Sequence, residues 1–208
     1  MNPRVFSTLL LLCALLAASP ALAQGASQAS DDRPVQGTGF SFSARFGAAL
    51  PLGLIHGGDG ETELALSDIA SGMIPVHLDA GYFFGSSVYV GAYFEYGRLL
   101  LAQECPETAS CSATNLRFGA SVSLHLPVSD TGRWSPWVGG GIGYELFKPG
   151  TSSLKGLDFH LQGGADYHVS GPVWFGPFAM FTLGKYSDVN DAGSHHWLMG
   201  GLRLVMRH

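Results

Sequence analysis

Apolar and polar residues alternate with a period of two along much of this chain, and residues 157–169 give the clearest case. Successive side chains of a β-strand point to opposite sides, so this pattern places apolar side chains on one face and polar ones on the other. A helix would spread both sets around its circumference. The segment therefore predicts a β-strand with one apolar and one polar face.

The alternation recurs in seven further segments, which together with the first predict eight strands. The segments 40–48, 74–82, 88–96 and 116–126 alternate regularly, whereas 137–146, 173–183 and 197–206 do so more weakly. A run rich in glycine, residues 139–143, lies within one of the weaker segments, where small residues permit curvature or leave room for bulky neighbours. No helix pattern follows it, so it does not match a nucleotide-binding loop.

The composition indicates a membrane protein that crosses the bilayer with strands. Charged residues make up 13% of the chain and the mean hydropathy is +0.20, whereas about 25% charged residues is usual for soluble domains. Beyond the N-terminal segment, no uninterrupted apolar stretch is long enough for a spanning helix. Strands that span a membrane must pair in a closed barrel. We therefore predict an all-β, eight-stranded antiparallel up-and-down transmembrane β-barrel; a soluble lipocalin-like barrel would place its apolar residues inside.

The N-terminal segment predicts export. A positive charge at Arg4 precedes an apolar run over residues 5–18, and Ala21-Leu22-Ala23 supplies the small residues that a signal peptidase requires. The run is shorter than a bilayer-spanning anchor requires. We expect residues 1–23 to be a cleaved signal peptide, 24–37 a flexible periplasmic segment, and 38–208 the barrel in the bacterial outer membrane.

The spacing of the strands predicts their orientation. Short connections near residues 85–86, 129–132 and 170–172 alternate with longer ones at 51–71, 102–113, 148–156 and 185–195. Outer-membrane barrels have short periplasmic turns and long external loops, so we expect both termini to be periplasmic. Cys105 and Cys111 fall in the second long loop, where an oxidising compartment favours a disulfide over two free thiols.

This combination of export signal, amphipathic strands and alternating connections resembles the small outer-membrane barrels typified by the OmpA membrane domain, OmpX and the OmpW-like group. The resemblance covers residues 38–208 and is one of pattern, and the chain lacks the C-terminal aromatic residue common in that group. It implies contact with outer-membrane lipid and lipopolysaccharide, assembly by the barrel-assembly machinery, an extracellular partner reached through the loops, and a monomer. The net charge of −5 argues against a nucleic-acid partner.

Charged residues on the polar faces are expected inside the barrel, since a basic residue facing lipid at mid-membrane costs about 2–4 kcal/mol. An eight-stranded barrel is filled by side chains, and buried charges require partners, so we predict salt-bridged layers that plug the lumen. The register predicts that His77 lies beside or diagonal to Glu95. A metal site is disfavoured because the candidates are spread over several strands. The predicted lumen network comprises Arg45, His77, Asp79, Glu95, Arg117, His125, Glu145, Asp158, His160, Asp166, His168 and Arg203.

Other polar and aromatic residues receive simpler interpretations. We expect the fourth long loop, including the pair His195-His196, to be a solvated polar loop that holds no metal. Tyrosines and tryptophans near strand ends, among them Trp134, Tyr167, Trp174 and Tyr186, are candidates for aromatic girdles, although some would face the lumen.

Three functions remain open from the sequence, and none calls for a cofactor. The leading hypothesis is a non-enzymatic barrel with a plugged polar lumen and a structural or surface-interaction role. A narrow pore for ions or small hydrophobic solutes is the alternative. A lipid-A-modifying enzyme is the third, since His168 and Ser170 form a His-x-Ser sequence, but these residues fall at a predicted periplasmic turn and no catalytic set can be assembled.

Overall fold

The computed structural model of the protein describes residues 37–56, 64–101, 113–126, 133–150, 152–188 and 193–208. The predicted signal peptide, the cysteine pair Cys105 and Cys111, and the turn at 129–132 lie outside these ranges. The elements are β1 (Gly39–His56), β2 (Leu64–Ala65), α1 (Leu66–Ile69), β3 (Ala70–Phe84), β4 (Val88–Leu101), β5 (Ala113–His125), β6 (Trp134–Pro149), β7 (Leu154–Ser170), β8 (Val173–Tyr186) and β9 (Ser194–Arg207).

The strands form one closed antiparallel barrel. Each long strand pairs with the next along the chain, and β9 returns to pair with β1 over most of their length. The two-residue strand β2 pairs with β1 alone and stays outside the barrel wall. Eight strands therefore make up the wall, and the predicted fold class is confirmed. Within the described ranges, no helix is long and apolar enough to cross a bilayer.

The two faces of the wall differ as the alternation predicts. Large apolar side chains are exposed on the outer face, including Phe42 at 59% and Leu161 at 71% exposure, while their polar neighbours in the chain, such as Ser43 and His160, are buried inside. This distribution is the reverse of that in a soluble barrel, whose apolar residues would fill the interior. The outer face is therefore suited to lipid.

The two ends of the barrel also differ. At the end where β1 begins and β9 finishes, which we call the terminal end, tight turns include Gly85 and Gly171, both with positive φ. At the opposite, loop end, the strands extend beyond their predicted limits: β1 reaches His56, although Pro51 and Gly53 interrupt the sequence pattern. The first long connection is therefore shorter than predicted. It includes α1, whose Leu66 is fully buried.

The aromatic residues near strand ends divide between the two faces. Trp134 is exposed on the outer face, and its ring contacts that of Tyr167 at a centroid distance of 5.0 Å near the terminal end. Trp174 and Tyr186 instead point into the lumen and are 0% and 1% exposed, so these two candidates are among those that face the lumen. Both occupy even-numbered positions of β8, and the side chains at the even-numbered positions of this strand point inward along its whole length.

Candidate functional site

The charged lumen is the candidate site. All twelve residues predicted for the lumen network point inside the barrel, and none is more than 5% exposed. The register places His77 directly opposite Glu95, as the sequence predicts. The structure divides the set into a group in the terminal half, a group in the loop half and connecting residues between them.

In the terminal half, Asp166 receives hydrogen bonds from three side chains. Arg207 donates at 2.9 Å, Arg203 at 3.3 Å and the indole N–H of Trp137 at 3.2 Å. We call these four residues the Asp166 cluster. Arg207 also contacts the ring of His125 at 3.0 Å. A single buried carboxylate thus pairs with two guanidinium groups.

The Asp166 cluster adjoins a pair of like charges at the seam between the first and last strands. Arg45 on β1 and Arg203 on β9 are direct cross-strand partners. The indole of Trp137, on the opposite wall, lies 5.4 Å from the guanidinium of Arg45 and 4.5 Å from that of Arg203. Cation–π attraction to this shared ring offsets part of their repulsion.

A chain of polar contacts leads from Arg45 towards the loop half. Arg45 donates to Asp79 at 3.0 Å, and Ser43 donates to the same carboxylate at 2.7 Å. The ring of His77 lies between two carboxylates, with Nε2 at 3.4 Å from Asp79 and Nδ1 at 3.0 Å from Glu95. His77 therefore links the two halves of the network.

In the loop half, Glu95, Arg117 and Glu145 are cross-strand neighbours on β4, β5 and β6, and we call them the Glu95 ladder. Arg117 is paired with Glu95. Glu145 accepts a hydrogen bond from Asn115 at 2.6 Å and contacts the ring of His195 at 2.6 Å. The interpretation of His195 as part of a solvated loop was therefore wrong: β9 begins at Ser194, and this side chain is 1% exposed.

Among the described residues, Asp158 is held by a tyrosine and a histidine and not by an arginine hydrogen bond. The hydroxyl of Tyr93 on β4 lies 3.3 Å from both oxygens of Asp158 on β7. His160 lies 3.9 Å from the same carboxylate, and its ring meets Tyr93 edge to face. Since β4 and β7 are not neighbours in the wall, this contact crosses the lumen.

The charges in the two halves are not balanced equally. The terminal half holds three guanidinium groups, those of Arg45, Arg203 and Arg207, against the two carboxylates of Asp79 and Asp166. The loop half holds Arg117 against three carboxylates, those of Glu95, Glu145 and Asp158. Histidines 77, 160 and 195 all lie beside carboxylates of the network. The loop half is therefore the more acidic part of the lumen.

Apolar side chains occupy the loop end of the interior, next to this acidic half. Leu66 of α1 is buried in a cluster that includes Ile55, Met73 and Leu99, and Ile69 packs against it. The cluster extends down the wall of β8 and β9 through Met180, Trp197 and Met199. The interior thus combines a polar network with an apolar layer that the sequence did not predict.

His168 and Ser170 of the His-x-Ser sequence are not hydrogen-bonded to each other in the part of the chain that the structure describes. The ring of His168 is buried, contacts the carbonyl oxygen of Gly171 at 2.9 Å and packs on Trp174. Ser170 is exposed at the end of β7. Among the residues that the structure describes, no three histidine, cysteine or acidic side chains are arranged to hold a metal ion.

One arginine and one histidine of the network, Arg207 and His195, were missed from the sequence. Both follow from the alternation of β9. Arg203 points inward, and each of the two residues lies an even number of positions from it on the same strand, so each shares its face. They were missed because the predicted strand covered residues 197–206 and left both outside its limits.

No protein-family profile and no curated protein matches this chain. Among solved structures, Neisserial surface protein A is 17% identical, with 81% of this chain and 99% of that chain covered and a TM-score of 0.54. The Pseudomonas aeruginosa protein OprG is 13% identical, with coverage of 85% and 99% and a TM-score of 0.46. The N-terminal barrel domain of OprF from the same organism is 13% identical, with coverage of 82% and 100% and a TM-score of 0.43.

The chain has the fold of the small outer-membrane β-barrels. At this level of identity the similarity concerns the fold, so functional inference depends on the residues of the lumen and the outer wall.

Proposed function

We propose that the protein is a non-enzymatic barrel of the bacterial outer membrane, with a lumen closed by its buried network and loops available for surface interactions. In this proposal the terminal end faces the periplasm and the loop end faces outward. Support for this orientation comes from the tight turns at the terminal end and the longer connections at the other.

The observation that carries the proposal is a set of side-chain contacts between strands that are not neighbours. Arg45 on β1 is hydrogen-bonded to Gln162 on β7, Tyr93 on β4 meets Asp158 on β7, and Glu145 on β6 meets His195 on β9. These contacts lie at different depths between the two ends. An ion moving along the lumen would have to break each of them.

Energetics support a lumen that stays closed. Breaking a buried ion pair by removing one partner costs about 3–5 kcal/mol, because the remaining charge stays buried. Separating such a pair to admit an ion would also leave buried charges without their partners, so it carries a similar cost in free energy. The apolar cluster around Leu66 adds a second barrier at the loop end, since aliphatic side chains such as those of Ile55 and Leu99 cannot replace the hydration of an ion.

A narrow aqueous path is the second candidate, and one observation favours it. The Nε–H groups of Arg45, Arg117 and Arg203 are buried and have no hydrogen-bond acceptor among the described residues. Buried donors of this kind are commonly satisfied by internal water. A hydrated lumen would give small ions a route if the cross-lumen contacts opened.

Planar-bilayer recording of the full protein separates these candidates. The closed barrel predicts no stepwise conductance for the wild type. The double variant Arg45→Ala with Gln162→Ala, which removes one cross-lumen contact, should also stay closed, because the contacts of Tyr93 with Asp158 and of Glu145 with His195 remain. Reproducible ohmic steps from the wild-type protein would overturn the proposal and favour the narrow pore.

The absence of enzymatic activity is part of the proposal and has its own test. It is supported by the position of His168, whose ring contacts a backbone carbonyl and not a serine hydroxyl. Expression in a Gram-negative host should leave the mass spectrum of lipid A unchanged. Loss of an acyl chain or any other mass shift that depends on the protein would contradict it.

A further inference from the structure

The chain contains three lysines, Lys148, Lys155 and Lys185, and all of them lie on adjoining strands at one end of the barrel. They belong to β6, β7 and β8 near the loop end, and each is exposed on the outer face. Lys155 is diagonal to Lys148, because its direct partner on β6 is Leu146. Lys185 is diagonal to Lys155, because its direct partner on β7 is Leu157.

These lysines form a compact basic patch. Diagonal neighbours on one face of a sheet lie about 7–8 Å apart, so the three ammonium groups can reach a common anion or two adjacent ones. They form no ion pair with any residue in the described ranges, and Asp188, which follows β8, is not paired with them. Their charge is therefore available to a ligand.

An apolar groove begins directly beneath this patch. It lies on the outer wall between β7 and β8, has a volume of about 460 Å³, and is lined by Leu157, Phe159 and Leu183 with Lys185 and Ser187 at its upper edge. A second depression of about 350 Å³ continues it towards the middle of the wall and shares Phe159 and Leu183. Gly140 on β6 borders the second depression, where the missing side chain leaves space.

We propose that this lysine patch and groove bind an acylated lipid whose headgroup carries two or more phosphates. An acyl chain would lie along the groove, and the phosphates would meet the lysines. Clusters of lysine or arginine at the membrane surface bind anionic headgroups in this way. Three cations in so small an area match a headgroup with more than one phosphate better than the single phosphate of a common phospholipid. The inference depends on the proposed orientation, in which the loop end lies in the outer leaflet.

The charge requirement is tested by native mass spectrometry of the full protein in detergent micelles, with diphosphoryl lipid A as the probe. The wild type should retain one lipid A, and monophosphoryl lipid A and phosphatidylglycerol should bind more weakly. Replacing all three lysines with glutamine should lower the affinity by about tenfold or more, whereas replacing them with arginine should preserve it.

Arg98→Gln is the matched control, because Arg98 is also an exposed cation near the loop end but lies on β4, away from the groove. It should leave the affinity unchanged. Equal binding by the glutamine triple variant and the wild type would overturn the proposal, as would an equal loss in Arg98→Gln. Displacement of the lipid by inorganic phosphate alone would overturn the proposal that the site takes an acylated lipid.

The groove is tested separately. Leu157→Trp should fill its upper part and weaken lipid A binding, while Leu78→Trp places the same side chain at a similarly exposed position on β3. Equal binding by both variants would remove the groove from the site. Because neither assay measures conductance, failure of lipid binding and failure of the closed-lumen proposal give different results.

Discussion

Replacing Asp166 with asparagine should destabilise the barrel more than any other single loss of a carboxylate in the terminal half. Asp166 is fully buried and is hydrogen-bonded to Arg203, Arg207 and Trp137. The terminal half has three guanidinium groups and two carboxylates, so the variant leaves three guanidinium groups and a single carboxylate. Asparagine retains the shape and one acceptor but removes the charge. We expect a loss of about 3–5 kcal/mol in the free energy of unfolding, the range found when a buried ion pair loses one partner.

Glu95→Gln is the internal comparison for Asp166→Asn. Glu95 is also buried and paired, but Arg117 keeps Glu145 as its other cross-strand neighbour after the change. We therefore expect a smaller loss of about 1–3 kcal/mol, the cost of weakening buried charged hydrogen bonds. The ranking of the two variants follows from the uneven distribution of charge in the lumen.

Urea unfolding of the protein refolded into micelles would measure both losses through tryptophan fluorescence, because Trp137 contacts Asp166 directly. A double variant, Asp166→Asn with Arg207→Met, should recover part of the stability by removing one of the unpaired charges. Equal losses in Asp166→Asn and Glu95→Gln, or the reverse ranking, would refute the charge argument.

Three further substitutions test the packing. Gly143→Ala should lose about 1–3 kcal/mol of stability from overpacking, since the added methyl would clash with the hydroxyl of Tyr93 and lie 2.7 Å from a carboxylate oxygen of Asp158. At Gly200 the nearest atom is 3.8 Å away, so equal urea midpoints for the two alanine variants would contradict this. Trp137→Phe should lose about 1–2 kcal/mol because the indole hydrogen bond is removed and the cation–π contact is weakened, and Trp134→Phe, on the outer wall, is its control in the same assay. Leu66→Ala should lose about 2–5 kcal/mol and loosen the loop end, which limited proteolysis would detect as faster cleavage there.

The fold and the inward direction of the charges were predictable because both depend on the alternation of residue types. With lipid outside and charge inside, Asp158 and its polar neighbours on β7 must point into the lumen. Counting residues along the hairpin of β3 and β4 was sufficient to pair His77 with Glu95. These conclusions need the strand period and the cost of placing a charge in lipid, and no knowledge of side-chain conformation.

The contacts across the lumen were not predictable in the same way. Which side chain meets Asp158 from the opposite wall depends on the stagger of the whole barrel and on side-chain length, and neither is contained in the pattern of a single strand. The apolar layer at the loop end was missed because Leu66 lies in a segment without alternation. Trp174 was a girdle candidate because of its position near a strand end, and continuing the parity of β8 would have placed it in the lumen.

The like-charged pair at the seam has a consequence for the order in which the barrel is completed. Bringing β1 beside β9 places the guanidinium groups of Arg45 and Arg203 next to each other, which is unfavourable while both lack counterions. Asp79, Asp166 and Trp137 supply the compensating contacts from β3, β7 and β6. The last step of closure is thus favoured once the rest of the wall is in place, so a sheet in which β1 and β9 meet too early is penalised.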